Sequence, residues 1–345
     1  MTLKISQKIK EINVLMTIFI VALHIMTWDN RMWTLRIIVN MAIPMFFVIS
    51  SYLYFQNYSF TWKCYKKKLL SRLKSLYIPF VIYNLLYIPW IIFKLYILHV
   101  PDTRQISILS IDTITSILVG LPEMLNPVLW FIRVLIIFVF IAPLLGIIVK
   151  YSKWISIPFS IVFILLIHHF DYYSFLYWIP CLLLGAFLSL YESKILPLLD
   201  KIKKNNRNNI LLIIAIISYF FFFIFFLKDK DIENSYHYFL YRMTVPFIII
   251  AFYSIIDHII PKKIINIVLP YTFPIFCMHI VFVNISVICM SLIIPNQCFL
   301  LIQLISFILA FIFVLFTCKI LSKYYFIWLL LTGFRSKKNK INAGT

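Results

Sequence analysis

Acidic residues and glycine are scarce. Among 345 residues there are 12 Asp and Glu and 5 Gly, and only 13% of positions are charged. A soluble domain carries about a quarter charged residues. This chain has too few to cover a water-facing surface, so a soluble globular fold is excluded. The six cysteines (Cys64, Cys181, Cys277, Cys289, Cys298 and Cys318) are scattered and form no C-x-x-C pair. They read as small hydrophobes inside a membrane. There is no H-E-x-x-H, P-loop or G-x-S-x-G, no detectable internal repeat and no Gly/Ser linker. The adjacent His168 and His169 are too small a ligand set to imply a metal. No metal and no tightly bound cofactor is expected.

What is abundant is apolar sequence, 63% hydrophobic with 18% aromatic residues and a mean hydropathy of +0.97. Apolar runs recur at lengths near 20, which suits a bilayer core of about 30 Å at about 1.5 Å per helical residue. They fall at 12–28, 36–55, 76–98, 129–149, 155–169, 173–191, 210–227, 239–257, 270–291 and 299–320. The expected fold is all-α: a polytopic integral membrane bundle of about ten transmembrane helices, using 1–345 as one domain. Its core would cover about 12–320, with a basic tail at about 321–345. Lys4, Lys8 and Lys10 precede the first run as in a signal peptide, but no small-residue cleavage site follows, so a retained first helix is expected.

Charge assigns the sides. With the N-terminus in the cytoplasm, the inner segments hold Lys4 to Lys10, Lys63 to Lys74, Lys150 and Lys153, Lys194 to Arg207, Lys262 and Lys263, and Lys319 to Lys340. These are most of the 32 basic residues. Asp29, Asp102, Asp112, Glu123, Asp171, Asp229, Asp231 and Glu233 all fall outside. This positive-inside bias puts both termini in the cytoplasm. The net charge of +20 sits in short loops between apolar runs, which argues against nucleic acid as a partner. The most basic inner loop, 56–75, suits phosphate groups or anionic lipid headgroups. The longest outer loop, about 99–128, has room for a short interfacial helix.

Polar groups inside membrane helices are costly and mark functional candidates. In the first run Asn13, Thr17, His24, Thr27 and Trp28 share one helical face. His24 lies about 18 Å along that run, in the outer half. The ninth run repeats the pattern with Thr272, His279 and Ser286. Arg36, Arg133 and Arg242 sit at the outer ends of the second, fourth and eighth runs. Each reads as an arginine snorkelling to the interface; together with two intramembrane histidines they outline an outer polar cavity.

Five stretches carry a resemblance. They are Ile20-Val21-Ala22-Leu23-His24, and Ala42-Ile43-Pro44-Met45-Phe46-Phe47-Val48-Ile49-Ser50-Ser51-Tyr52-Leu53. Then come Lys68-Leu69-Leu70-Ser71-Arg72 leading to Tyr77-Ile78-Pro79-Phe80, and Leu129-Trp130-Phe131-Ile132-Arg133. The last is Phe273-Pro274-Ile275-Phe276-Cys277-Met278-His279. In content and order these are similar to the membrane-bound acyltransferase 3 family of bacterial O-acyltransferases, in the stand-alone form without an extracellular esterase-like domain. Two departures stand out. Family members carry Arg eleven residues before the first-helix His; here that position is Asn13, and Lys10 lies one turn away near the same face. The family's Ser-Gly is Ser50-Ser51 here, which predicts a looser backbone approach.

The resemblance implies a multi-pass protein of the bacterial cytoplasmic (inner) membrane. Its donor would be acyl-CoA, most commonly acetyl-CoA in the family, and its acceptor a glycan or lipid-linked saccharide such as O-antigen, capsule or exopolysaccharide. His24 would be the general base. Trp130, Arg133, His279, Ser50, Tyr52, Arg36 and Arg242 would serve the oxyanion or acceptor side. Lys10, Asn13, Lys67, Lys68 and Arg72 would serve the acyl-CoA side, and membrane lipids surround the whole. The competing reading is a polysaccharide polymerase or flippase. The longest outer loop, with Arg104 its single arginine, is short for a polymerase.

Overall fold

The computed structural model describes residues 3–26, 32–97, 99, 110–121, 124–203, 206–228, 235–256 and 259–334. The described elements are helical throughout. In chain order they are α1 (Leu3–Met26), α2 (Trp33–Val39), α3 (Ala42–Phe55), α4 (Trp62–Tyr96), α5 (Ile111–Leu118), α6 (Trp130–Ser152), α7 (Ser156–Leu166) and α8 (Phe175–Leu190). They continue with α9 (Glu192–Lys203), α10 (Asn206–Phe226), α11 (Tyr236–Ile255), α12 (Lys262–Val268), α13 (Thr272–Ile293), α14 (Phe299–Leu321) and α15 (Tyr325–Leu331). Helix is the form that satisfies every backbone N–H and C=O within one segment, as a hydrocarbon solvent requires.

Eight helical stretches among the described residues are long and apolar enough to span a bilayer. The sequence reading expected about ten. One stretch, Pro127–Leu166, takes in the fourth expected span and most of the fifth. It is broken at Lys153, which takes a left-handed φ of 54°, and the leg beyond it, α7, has 11 residues. That is about 17 Å of helix, too short to cross about 30 Å. The sixth expected span, α8, has 16 residues and is also short. α7 and α8 pack on each other, so the two short legs form one hairpin.

The chain divides into two compact units. The first comprises Met1–Cys64 and Ile141–Thr272; the second comprises Tyr65–Phe140 and Phe273–Thr345. In the first, α3 and α8 make the most intimate helix pair. Ser51 Oγ donates to the Leu182 carbonyl at 2.6 Å. A Cβ on Gly185 would overlap the Val48 carbonyl oxygen and lie 2.7 Å from the Ser51 Cβ. The approach at Ser51 is therefore close, not loose as expected from the missing glycine. The small residue that permits it is on the opposite helix. α10 lies at the rim of this unit, its Ile and Phe side chains mostly exposed, as on a surface that meets lipid.

In the second unit the basic stretch expected as a loop is helix. α4 has 35 residues, about 52 Å, so its charged first turns extend well beyond an apolar core of about 30 Å. The outer connection holds α5, an amphipathic eight-residue helix capped by Ser110 Oγ, which accepts from Thr113 N. A short helix, α15, interrupts the segment expected as tail. Beyond it Gly333, at φ +60°, lies flush against the Ser75 backbone of α4. Lys74 Nζ sits 4.0 Å from the Phe334 ring centroid.

Candidate functional site

In the first unit the polar face of α1 is real. Thr17 is buried and donates to the Asn13 carbonyl at 2.7 Å. Asn13 Nδ2 approaches Thr272 Oγ1 at 3.5 Å, so the stripe is tied at its inner part to the last residue of the same unit. His24 lies half-buried on the same face near the other end of α1. Thr27 and Trp28 fall outside the described residues. At about 1.5 Å per residue the eleven residues from Asn13 to His24 span about 16 Å, half of a bilayer core.

Lys10, expected to supply the family's missing positive charge, is exposed. Lys8 turns into the unit instead. Its Nζ donates to the Tyr253 carbonyl and, at 3.3 Å, to the Ile256 carbonyl. Beside it Glu11 is fully buried. Its carboxylate accepts from Ile259 N and from Ile260 N at 2.9 Å. Glu11 was missed in the sequence because it sits at the edge of the first apolar run among lysines. A lone carboxylate entering such a run is the signal that would have found it.

Arg242 does not snorkel. It has no exposed surface. Nε donates to Asn40 Oδ1 at 3.0 Å, and Nη1 donates to the Tyr177 hydroxyl at 3.0 Å. The guanidinium lies 4.2 Å from the Tyr172 ring centroid and 5.4 Å from that of Tyr238. Arg36 is half-buried one turn before Asn40, and it and Arg242 both act electrostatically on the Tyr238 hydroxyl. Ser50 and Tyr52 lie toward the other end of this span from Arg36. The Tyr52 hydroxyl donates to Glu192 Oε2 at 3.0 Å, so in this structure Tyr52 braces the α8–α9 turn.

The second unit gathers the third, fourth and fifth motif stretches. Two asparagines that sequence reading passed over hold them. Asn84 Nδ2 donates to the Phe80 carbonyl at 3.1 Å and to the Ile117 carbonyl at 3.4 Å, while its Oδ1 accepts from Asn126 N at 3.1 Å. Asn126 Nδ2 in turn donates to the Cys277 carbonyl at 3.0 Å. α4, α5, the start of α6 and α13 are thereby knitted together. Trp130 is buried, and Phe131 packs on Phe276 with centroids 5.0 Å apart. Arg133 Nη1 donates to the Gly120 carbonyl at 2.8 Å, at a turn whose φ of +78° and close neighbours suit glycine. His279 is fully buried. Its Nδ1 faces two carbonyls of its own helix, Phe276 at 2.8 Å and Ile275 at 3.1 Å. Carbonyls only accept, so Nδ1 carries a proton.

At the start of α4 the basic residues separate by face. Lys68 and Arg72, four residues apart, are half-buried. Lys63, Lys66, Lys67 and Lys74 are exposed. Lys67 thus parts from the pair with which it was grouped.

Comparison with known proteins decides between the enzyme and the transport or polymerase readings. Residues 12–331 match the family model described as acyltransferase domain, that of the acyltransferase 3 family. The chain belongs to this family. No curated protein and no solved structure matched it. The match takes in nearly all the described helices, including α15. The chain is a multi-pass membrane acyltransferase, and Asn13, Thr17 and His24, the Arg242 cluster and the Asn84–Asn126 cluster lie inside its family domain.

Proposed function

We propose that this acyltransferase moves an acyl group, acetyl in the first instance, from cytoplasmic acyl-CoA to a hydroxyl of a lipid-linked or surface glycan. The acceptor class is O-antigen, capsule or exopolysaccharide, and the site is the bacterial cytoplasmic membrane. The observation that carries the reading is the polar stripe of α1, running from Asn13 and buried Thr17 to half-buried His24 within an acyltransferase domain. His24 is the general base. As the sugar oxygen bonds to the thioester carbonyl carbon, the hydroxyl proton passes to the imidazole. The C–S bond breaks, the departing CoA thiolate takes that proton, and the ring returns to neutral. General base assistance of this kind is worth about 10²–10⁴-fold.

Lys68 and Arg72 supply charge-assisted hydrogen bonds to CoA phosphates from the half-buried face of α4. Trp130, Arg133 and His279 belong to one knitted cluster and serve the acceptor or the developing oxyanion. An aromatic ring suits the apolar face of a sugar, and a fixed cation suits the oxyanion.

The test is glycan O-acylation by cells carrying His24→Ala at unchanged protein level. Loss of the alkali-labile ester with unchanged glycan chain length is expected. Intact acylation would remove His24 from the mechanism. A shortened glycan on gene deletion would remove the acyltransferase role in this pathway.

A further inference from the structure

The Arg242 cluster has a feature that its structural role does not require. A guanidinium offers five N–H donors. In Arg242 one is spent on Asn40 and one on Tyr177, while Nη2 is buried with no hydrogen-bond partner among the described residues. The residue is fully buried. Among the described residues, the groups in direct contact with it are neutral: an amide, a phenol and the rings of Tyr172, Tyr177 and Tyr238. A buried cation held only by neutral groups has not recovered its desolvation cost, and an orphaned donor on the same group adds to it. A helix-bridging role would be met by a neutral side chain at lower cost.

The surroundings fit an anion. Asn40 and Tyr177 hold the guanidinium through Nε and Nη1 and leave Nη2 without an acceptor among the described residues. Arg36, one helical turn before Asn40, adds a second positive charge whose field also reaches Tyr238. Tyr172 belongs to the short connection between α7 and α8, and its ring stacks over the guanidinium. By the charge pattern of the sequence this end of the unit is the outer one.

We propose that Arg242 is an oxyanion receptor for the acceptor, reading a carboxylate or phosphate oxygen on the glycan. The acceptor class is thereby narrowed to anionic glycans. The inference rests on the reading of an outer glycan acceptor, but its test is binding and needs no acyl transfer. Failure of the test therefore leaves His24 and the donor chemistry where they stood.

The experiment is thermal unfolding of the purified full chain in a neutral maltoside detergent, titrated with methyl glucuronide, with methyl glucoside and with inorganic phosphate. Wild type should show a saturable rise in Tm with an anion and none with methyl glucoside. Arg242→Met should weaken anion binding about thirtyfold or more. A response to the glucuronide alone assigns a uronic acid, and a response to phosphate alone assigns a phosphate-bearing acceptor. Response to both supports the shared oxyanion chemistry. If Arg242→Met does not yield a folded protein, Arg242→Lys serves. It keeps the charge but loses the planar fork, and about tenfold weaker anion binding is expected. No saturable anion effect on wild type, or the same affinity in wild type and variant, overturns the proposal.

Discussion

Ser51 shows how one position is read through its neighbour. The family's glycine is absent at this point, yet Ser51 is fully buried and its hydroxyl closes on the Leu182 carbonyl. The tolerance comes from Gly185 across the helix pair. Gly185→Ala must push a Cβ into the Val48 carbonyl, so it should destabilise the folded protein by about 1–3 kcal/mol. Ser51→Ala removes one hydrogen bond and should cost about 1 kcal/mol or less. Chemical unfolding of the purified variants ranks them. An unfolding curve for Gly185→Ala at or above that of wild type would mean that the α3–α8 crossing is not this tight. The same lesson applies to Asn84. An amide in an apolar run looks like an isolated polar outlier in sequence, and only the fold brings it to Asn126. Asn84→Leu leaves Asn126 N without its acceptor, so a loss of about 1–3 kcal/mol is expected from the buried donor. A stability equal to wild type would show that this amide knits nothing.

At the scale of elements, α4 changes the chemistry assigned to it. Its basic residues looked like a loop because they interrupt the apolar pattern, and charge was used to find sides rather than periodicity. As a helix, the stretch has two faces, and only Lys68 and Arg72 lie half-buried together. Acyl-CoA affinity should fall in Lys68→Ala/Arg72→Ala, by about tenfold or more given that charge-assisted bonds to phosphate are the strong ones. Lys63→Ala/Lys66→Ala, on the exposed face, should change affinity little beyond a screened long-range effect. Equal losses in the two pairs, measured by isothermal titration with acyl-CoA, would show that the face carries no meaning. The polar stripe of α1 was legible because spacings of three, four and seven place residues on one side of a helix. Its partner was not, since nothing in the sequence ties Asn13 to Thr272 or Glu11 to the amides of Ile259 and Ile260. Those contacts join parts of the chain 248 to 259 residues apart, beyond the reach of any periodicity.

For the whole molecule the question is parity. Apolar runs and charge bias together made the helical membrane fold readable, but they treated every run as a full crossing. α7 is too short for that, and α8 is short as well. Had a single run been miscounted, every later loop would change sides and the positive-inside pattern would reverse from Lys194 onward. It does not reverse, because α7 and α8 are consecutive legs of one hairpin: whatever depth α7 reaches, α8 returns the chain to the side it left. The depth of that hairpin is open to measurement. In a cysteine-free background, Asp171→Cys at its tip should react with a membrane-impermeant maleimide added outside intact cells. Ser59→Cys, between α3 and α4, should react only after permeabilisation. Outside labelling of both would break the parity, and with it the placement of His24 and Arg242 toward the acceptor side. Protection of Asp171→Cys from both sides would instead mean that the hairpin ends within the bilayer, leaving Arg242 to be reached laterally from lipid rather than from water.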